Sequence, residues 1–212
     1  MSNEKQNILV AGANGTTGRI IIDLLKKSEN YTPIAMVRKQ EQKERFEKEN
    51  VSTVLGDLEN DLSDALKNAD KVIFAAGSGG NKVKEVDQEG AKRFTDAAKK
   101  AGAKKFVMLS SMGADNPSIM PELEEYLKAK QNADEYLRAS GLNYSIVRPG
   151  GLTNDDGTGK IELQQKLNKQ GEISRSDVAK TLVEALADDV KHNQTFEIIS
   201  GGQSIEKALH NS

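Results

Sequence analysis

A strand-length apolar run, Asn7-Ile8-Leu9-Val10-Ala11, enters the turn Gly12-Ala13-Asn14-Gly15-Thr16-Thr17-Gly18 and emerges as a helix carrying Ile20, Ile21, Ile22, Leu24 and Leu25. Each glycine has a physical reason to be there. Gly12 lets the chain leave the strand through a sharp turn, and Gly15 presents no Cβ to an approaching pyrophosphate. Gly18 lets the helix pack close to the strand. The helix N-terminus then offers unpaired N–H groups and the positive end of its dipole to an anion. The G-x-x-G-x-x-G spacing is one residue longer at its start than the common dinucleotide fingerprint. Its setting, after a strand and before a helix, still predicts the phosphate-binding corner of a nucleotide fold.

Downstream the pattern repeats. Strands are expected at Pro33–Val37, Val51–Leu55, Lys71–Ala75, Lys105–Ser110, Tyr144–Arg148 and Thr195–Ile199. Between them, helices are expected over Gln40–Glu49, Leu62–Asn68, Val86–Ala101 (closed by Gly102) and Glu122–Ser140 (closed by Gly141). A last helix, capped by Ser176 or Asp177, should run through Leu186. The strands are continuous apolar runs, as a parallel sheet covered on both faces requires. The right-handed crossover rule then favours an α/β, doubly wound parallel sheet. Ligands bind such sheets beyond the strands' C-terminal ends, here Gly12, Arg38, Asp57, Ala76, Ser110 and Pro149. Residues 151–175 are richer in turn chemistry and read as a reduced substrate-side appendage to a single domain spanning 1–212.

Bulk properties exclude several alternatives. A net charge of −2, with both signs interspersed, gives no nucleic-acid or membrane-surface footprint. There is no apolar stretch of spanning length and no cysteine, so a cytoplasmic protein is expected. Two histidines, His192 and His210, both late in the chain, argue against a histidine metal site or a Ser-His-Asp triad. The expected partner is a small-molecule substrate, on a monomer or homodimer.

An acidic residue ending the second strand would hold a ribose 2′-hydroxyl and repel a 2′-phosphate. That position carries Arg38 and Lys39, with Arg19 nearby on the first helix. Cations there favour NADP, with NAD as the alternative. The glycine turn, Gly56-Asp57, Ala75-Ala76-Gly77, Ser110-Ser111, Tyr126-x-x-x-Lys130 and Arg148-Pro149-Gly150 follow the order seen in the short-chain dehydrogenase/reductase superfamily. The chain resembles the superfamily's atypical, epimerase-like NAD(P)-binding branch over nearly its whole length. That resemblance implies a Rossmann fold, with Gly12, Gly15 and Gly18 along the pyrophosphate and Asn14, Thr16 and Thr17 alongside. It places Arg38 at the 2′-phosphate, Asp57 at the adenine edge, and Ala76 and Gly77 along the ribose, with Leu58 and Ala75 also among the cofactor-binding residues. Pro149, Gly150 and Leu152 would lie beside the nicotinamide.

Tyr126 and Lys130 stand one helical turn apart and share a face. Their row continues through Ala133 and Leu137, where a lysine wants an anionic or hydroxyl partner. In the family the lysine holds the nicotinamide ribose and favours the phenolate of the tyrosine, which otherwise titrates near ~10. The resemblance thus implies NADPH-dependent reduction of a small carbonyl, quinone, flavin or sugar-derived compound. Tyr126 would be the acid/base, and Ser111, or else Ser110, would hold the developing oxyanion. The competing expectations are a non-catalytic NADP(H) sensor and a nucleotide-sugar epimerase, for which the C-terminal segment offers little grip.

Overall fold

The computed structural model describes residues 4–211. Its strands are β1 (Gln6–Ala11), β2 (Tyr31–Val37), β3 (Ser52–Leu55), β4 (Lys71–Phe74), β5 (Phe106–Leu109), β6 (Tyr144–Pro149), β7 (Gly151–Thr153), β8 (Lys160–Gln164), β9 (Glu172–Ser174), β10 (Gln194–Ser200) and β11 (Gln203–Ser204). The helices are α1 (Thr16–Lys26), α2 (Gln40–Lys48), α3 (Ala91–Ala101), α4 (Glu124–Ala139), α5 (Arg175–Glu184) and α6 (Ile205–His210). Nine strands form one sheet in the order β11-β8-β10-β6-β5-β4-β1-β2-β3. Every pairing from β3 across to β10 is parallel, and β8 runs antiparallel to both β10 and β11. The remaining two strands, β7 and β9, make a separate parallel pair.

Burial on both faces explains the uninterrupted apolar runs. Ile8, Val10, Ile73, Val107 and Val147 pack against Ile21 and Leu25 of α1 and Val178 and Leu182 of α5. Their neighbours in sequence, Leu9, Ala11, Val72, Phe74, Phe106, Met108 and Ile146, pack against α3 and α4 on the opposite side. Phe94 of α3 sits 5.4 Å from Phe74 and 5.6 Å from Phe106, ring to ring, anchoring that helix. No helix among the described residues is long and apolar enough to cross a membrane.

Several elements differ from expectation, each for a local reason. The stretch Leu62–Asn68 forms separate turns, closed by Ala65 N–H to Leu62 O and Ala69 N–H to Leu66 O at 3.0 and 3.1 Å. A stretch this short gains little from helical propensity alone, and it buries Leu62 and Leu66 through the two turns instead. The helix expected from Val86 begins as a π-helical segment, Val83–Gly90, and becomes α-helical only at Ala91. Gly90 permits the junction, because a Cβ there would lie 2.9 Å from the Leu58 Cβ. The cap of α5 is Ser174, whose Oγ accepts from Asp177 N–H. Asp177 is engaged elsewhere, accepting from Thr158 and Gly159 N–H at 2.9 and 2.8 Å. The turn-rich segment contains β7, β8 and β9, and α6 follows the last long strand.

Candidate active site

Gly12 leaves β1 with φ +84°, and a Cβ on it would stand 2.6 Å from the Ala75 and Ala76 backbone. Gly18 is tighter still, since its Cβ would fall 2.0 Å from Gly12 O. The α1 N-cap is Gly15, with no side-chain hydrogen bond and no acidic residue in the first turn. The corner therefore offers free amide donors and no competing negative charge, a fit for a pyrophosphate. A cavity of about 510 Å³ opens here, lined by Gly12, Asn14, Gly15, Arg38, Asp57, Leu58, Ala75, Ala76 and Gly77. Thr16 stays exposed outside it, while Thr17 and Gly18 are buried in the helix packing.

At the rim, Asn14 Oδ1 accepts from Arg19 at 2.9 Å and also from Arg45. The two guanidinium carbons lie 5.6 and 5.7 Å from the Phe46 ring centroid. Arg19 and Arg45 thus converge on Asn14 at the rim of a cavity whose lining also includes Arg38. Arg45 belongs to the charged stretch that reads, in sequence, only as a solvated helix. Its neighbour Phe46, buried amid charges, is the signal that this helix docks.

A second cavity of about 1060 Å³ lies beyond β5 and β6, lined among others by Ser111, Met112, Pro149, Gly150, Lys166 and Glu197. Gly150 is required there, because a Cβ would come within 2.2 Å of Gly171 O. Leu152, expected beside the nicotinamide, lines neither cavity. It is partly exposed on β7, and its carbonyl accepts from Arg175.

The two serines separate. Ser110 Oγ is buried and donates to Asp134 Oδ2 at 2.9 Å, whereas Ser111 faces the second cavity. Asp134 Oδ2 also accepts from Arg148 Nε at 2.9 Å and from its terminal nitrogen at 2.8 Å. Burial pushes the Asp134 carboxyl up, against the opposing pull of Arg148 and Ser110. Arg148 lies 3.9 Å from Asp115, which in turn holds Lys166 at 2.6 Å.

Lys130 is 4% exposed, and its Nζ lies 5.5 Å from the Tyr126 ring centroid and 3.5 Å from Asp87 Oδ1. Asp87 projects from the π-helical segment and accepts from Ser78 N–H at 3.0 Å. Burial pushes the Lys130 ammonium down, but Tyr126, Asp87 and Asp134 together outweigh it and leave the group above its ordinary range. Tyr126 is half-buried, and neither it nor Lys130 lines either cavity. Sequence reasoning missed Asp87 and Asp134. For Asp134 a signal existed: it continues the Tyr126–Lys130 spacing by one more turn, an acid four residues beyond a lysine.

A family profile described as NAD(P)H-binding matches residues 12–189. The chain is 40% identical over 210 residues, 95% of its length and 98% of the relative's, to the Bacillus subtilis protein YhfK, named an uncharacterized sugar epimerase. A solved Bacillus halodurans structure, provisionally named an NAD-dependent epimerase/dehydratase, is 36% identical with a TM-score of 0.91, covering 98% of this chain and 100% of that one. Sanguinarine reductase of Eschscholzia californica is 27% identical over 256 residues, 98% of this chain and 93% of that protein. The glycine corner, the doubly wound sheet and these likenesses agree: the chain belongs to the NAD(P)H-binding family, as an epimerase-like Rossmann-fold protein.

Proposed function

We propose that this protein is an NADPH-dependent reductase of a small carbonyl compound or quinone, with Tyr126 as the proton donor. The observation that carries the reading is the second cavity, which opens between Ser111 and Pro149-Gly150 at the C-terminal ends of the central strands β5 and β6, where such folds bind ligands. When bound, the dinucleotide supplies a hydride, two electrons, to the substrate's carbonyl carbon. Tyr126, beside Lys130 and outside both cavity linings, would turn toward the substrate to deliver the proton to the carbonyl oxygen, giving an alcohol (from a quinone, after a second proton, a hydroquinone) and the oxidised dinucleotide. Ser111 is the serine on the cavity side and would hold that oxygen by turning its hydroxyl from the Met112 carbonyl, whereas the Ser110 hydroxyl is buried against Asp134. The arginines around Asn14 support NADP over NAD. The reductase name of the Eschscholzia relative supports reduction, and the epimerase name of YhfK marks the alternative.

Tyr126→Phe should lower kcat by about 10²–10⁴-fold with an active quinone or carbonyl substrate, leaving NADPH affinity near wild type. Full activity in that variant would remove the tyrosine from the mechanism. A second reading, a dinucleotide-responsive sensor, draws on one observation: Lys130 is already paired with Asp87, away from both cavities. NADPH binding without oxidation across a quinone and carbonyl panel would favour it.

A further inference from the structure

We infer that the second cavity selects uncharged, fused-ring aromatic carbonyl compounds and rejects anionic ones such as flavin phosphates and nucleotide sugars. The inference rests on the reading above only in taking this cavity as the substrate side. One wall is apolar and open: Ile119 is 65% exposed and Leu123 43%, beside Met112 and Met120. Large side chains left this bare along a cavity are a surface waiting for an apolar body. At about 1060 Å³ the space is ample for fused rings.

The charged groups of the lining decide the charge. They comprise four carboxylates, on Asp115, Glu122, Glu172 and Glu197, against two lysines, Lys166 and Lys169. Both ammonium groups are committed, Lys166 to Asp115 at 2.6 Å and Lys169 to Glu162 at 2.7 Å. Arg148 behind them is held by Asp134 at 2.8 Å. Among the described residues, no uncommitted cation lines this cavity, in contrast to the arginine cluster at the dinucleotide cavity. An anion entering here would lose its hydration and meet net negative charge.

The test is calorimetric titration of the full-length protein with saturating NADP⁺. The paired ligands are 2-hydroxymethylanthraquinone and anthraquinone-2-sulfonate, which share a ring system and differ in charge. The neutral compound should bind about tenfold tighter. Asp115→Asn, which removes a carboxylate and releases Lys166, should improve sulfonate binding several-fold, and Ile119→Ser should weaken the neutral ligand. Equal or tighter sulfonate binding, binding of neither compound, or a ratio unmoved by Asp115→Asn would overturn the inference. So would a ligand-independent dimer dispersed by Ile119→Ser, which would put a second copy on the apolar wall. Neutral preference without NADPH oxidation would leave the inference standing and remove the reductase reading.

Discussion

Asp134 carries a network that joins three of the elements around the second cavity, so its removal has a calculable cost. Its Oδ2 accepts from Ser110 at the end of β5 and twice from Arg148 on β6. Asp134→Ala would leave the Arg148 guanidinium, 6% exposed, with Asp115 at 3.9 Å as its remaining carboxylate. Breaking a buried pair in this way costs about 3–5 kcal/mol. The residual attraction to Asp115 places the expectation at the lower end, about 3 kcal/mol, or a fall in Tm of roughly 6–12 °C for a chain of this size. Urea unfolding followed by circular dichroism would read it. Asp134→Leu combined with Arg148→Met should recover most of the loss, because burial already works against the charged carboxyl and apolar groups would avoid that penalty. A single-variant cost below about 1 kcal/mol, or a double variant worse than the sum of its parts, would refute the reasoning.

Gly18→Ala should abolish dinucleotide binding and lower stability, because its Cβ would stand 2.0 Å from a backbone oxygen in the phosphate turn. Retained NADPH affinity by fluorescence titration would contradict this. Arg38→Asp should weaken NADP binding by roughly 10–100-fold while sparing or improving NAD, and an unchanged calorimetric ratio would remove Arg38 from the 2′-phosphate site. Lys105 is buried, and desolvation together with the nearby Lys71 pushes its ammonium down to about 8. Between that value and the ordinary lysine range, near ~10.4, the unfolded chain binds a proton that the folded chain does not. The cost of burying this charge is thus present below about pH 8 and relieved as pH rises. Urea midpoints at pH 7.5 and 9.5 should rise more for wild type than for Lys105→Met, and equal changes would show that Lys105 does not titrate in this window.

The sheet was legible because both of its faces are buried. Alternation along β1 sends Ile8 and Val10 one way and Leu9 and Ala11 the other, into separate cores, so every position reads as apolar. The glycine corner was legible for a steric reason that is local: Gly12 and Gly18 approach backbone within a few residues or at an adjacent strand tip. The illegible parts depend on contacts distant in sequence. Lys71 in β4 and Lys105 just before β5, both buried, become tolerable because carbonyls of Leu186, Ala187 and Val190, and the Asp188 carboxylate for Lys71, accept from them beyond the end of α5. Ser110 and Ser111 look alike until Asp134, on a later helix, claims one of them.

The same logic bears on Lys130. A lone ammonium at 4% exposure would have to shed its charge, yet here it is held above its ordinary range. Tyr126 contributes most, with Asp87 and Asp134 next, and Asp87 reaches Lys130 from a π-helical turn, a geometry that inserts a residue into the helical register and is often found at functional sites. Ser78 Oγ, in the loop that follows β4 and along the dinucleotide-sized cavity, is buried without a hydrogen-bond partner, whereas Asp87 Oδ1 faces the Lys130 ammonium. Unsatisfied polar atoms in such a place cost stability. Lys130, Asp87 and the Ser78 amide thus form one buried polar chain from α4 to the loop after β4, the loop that also lines the cavity fitting a dinucleotide.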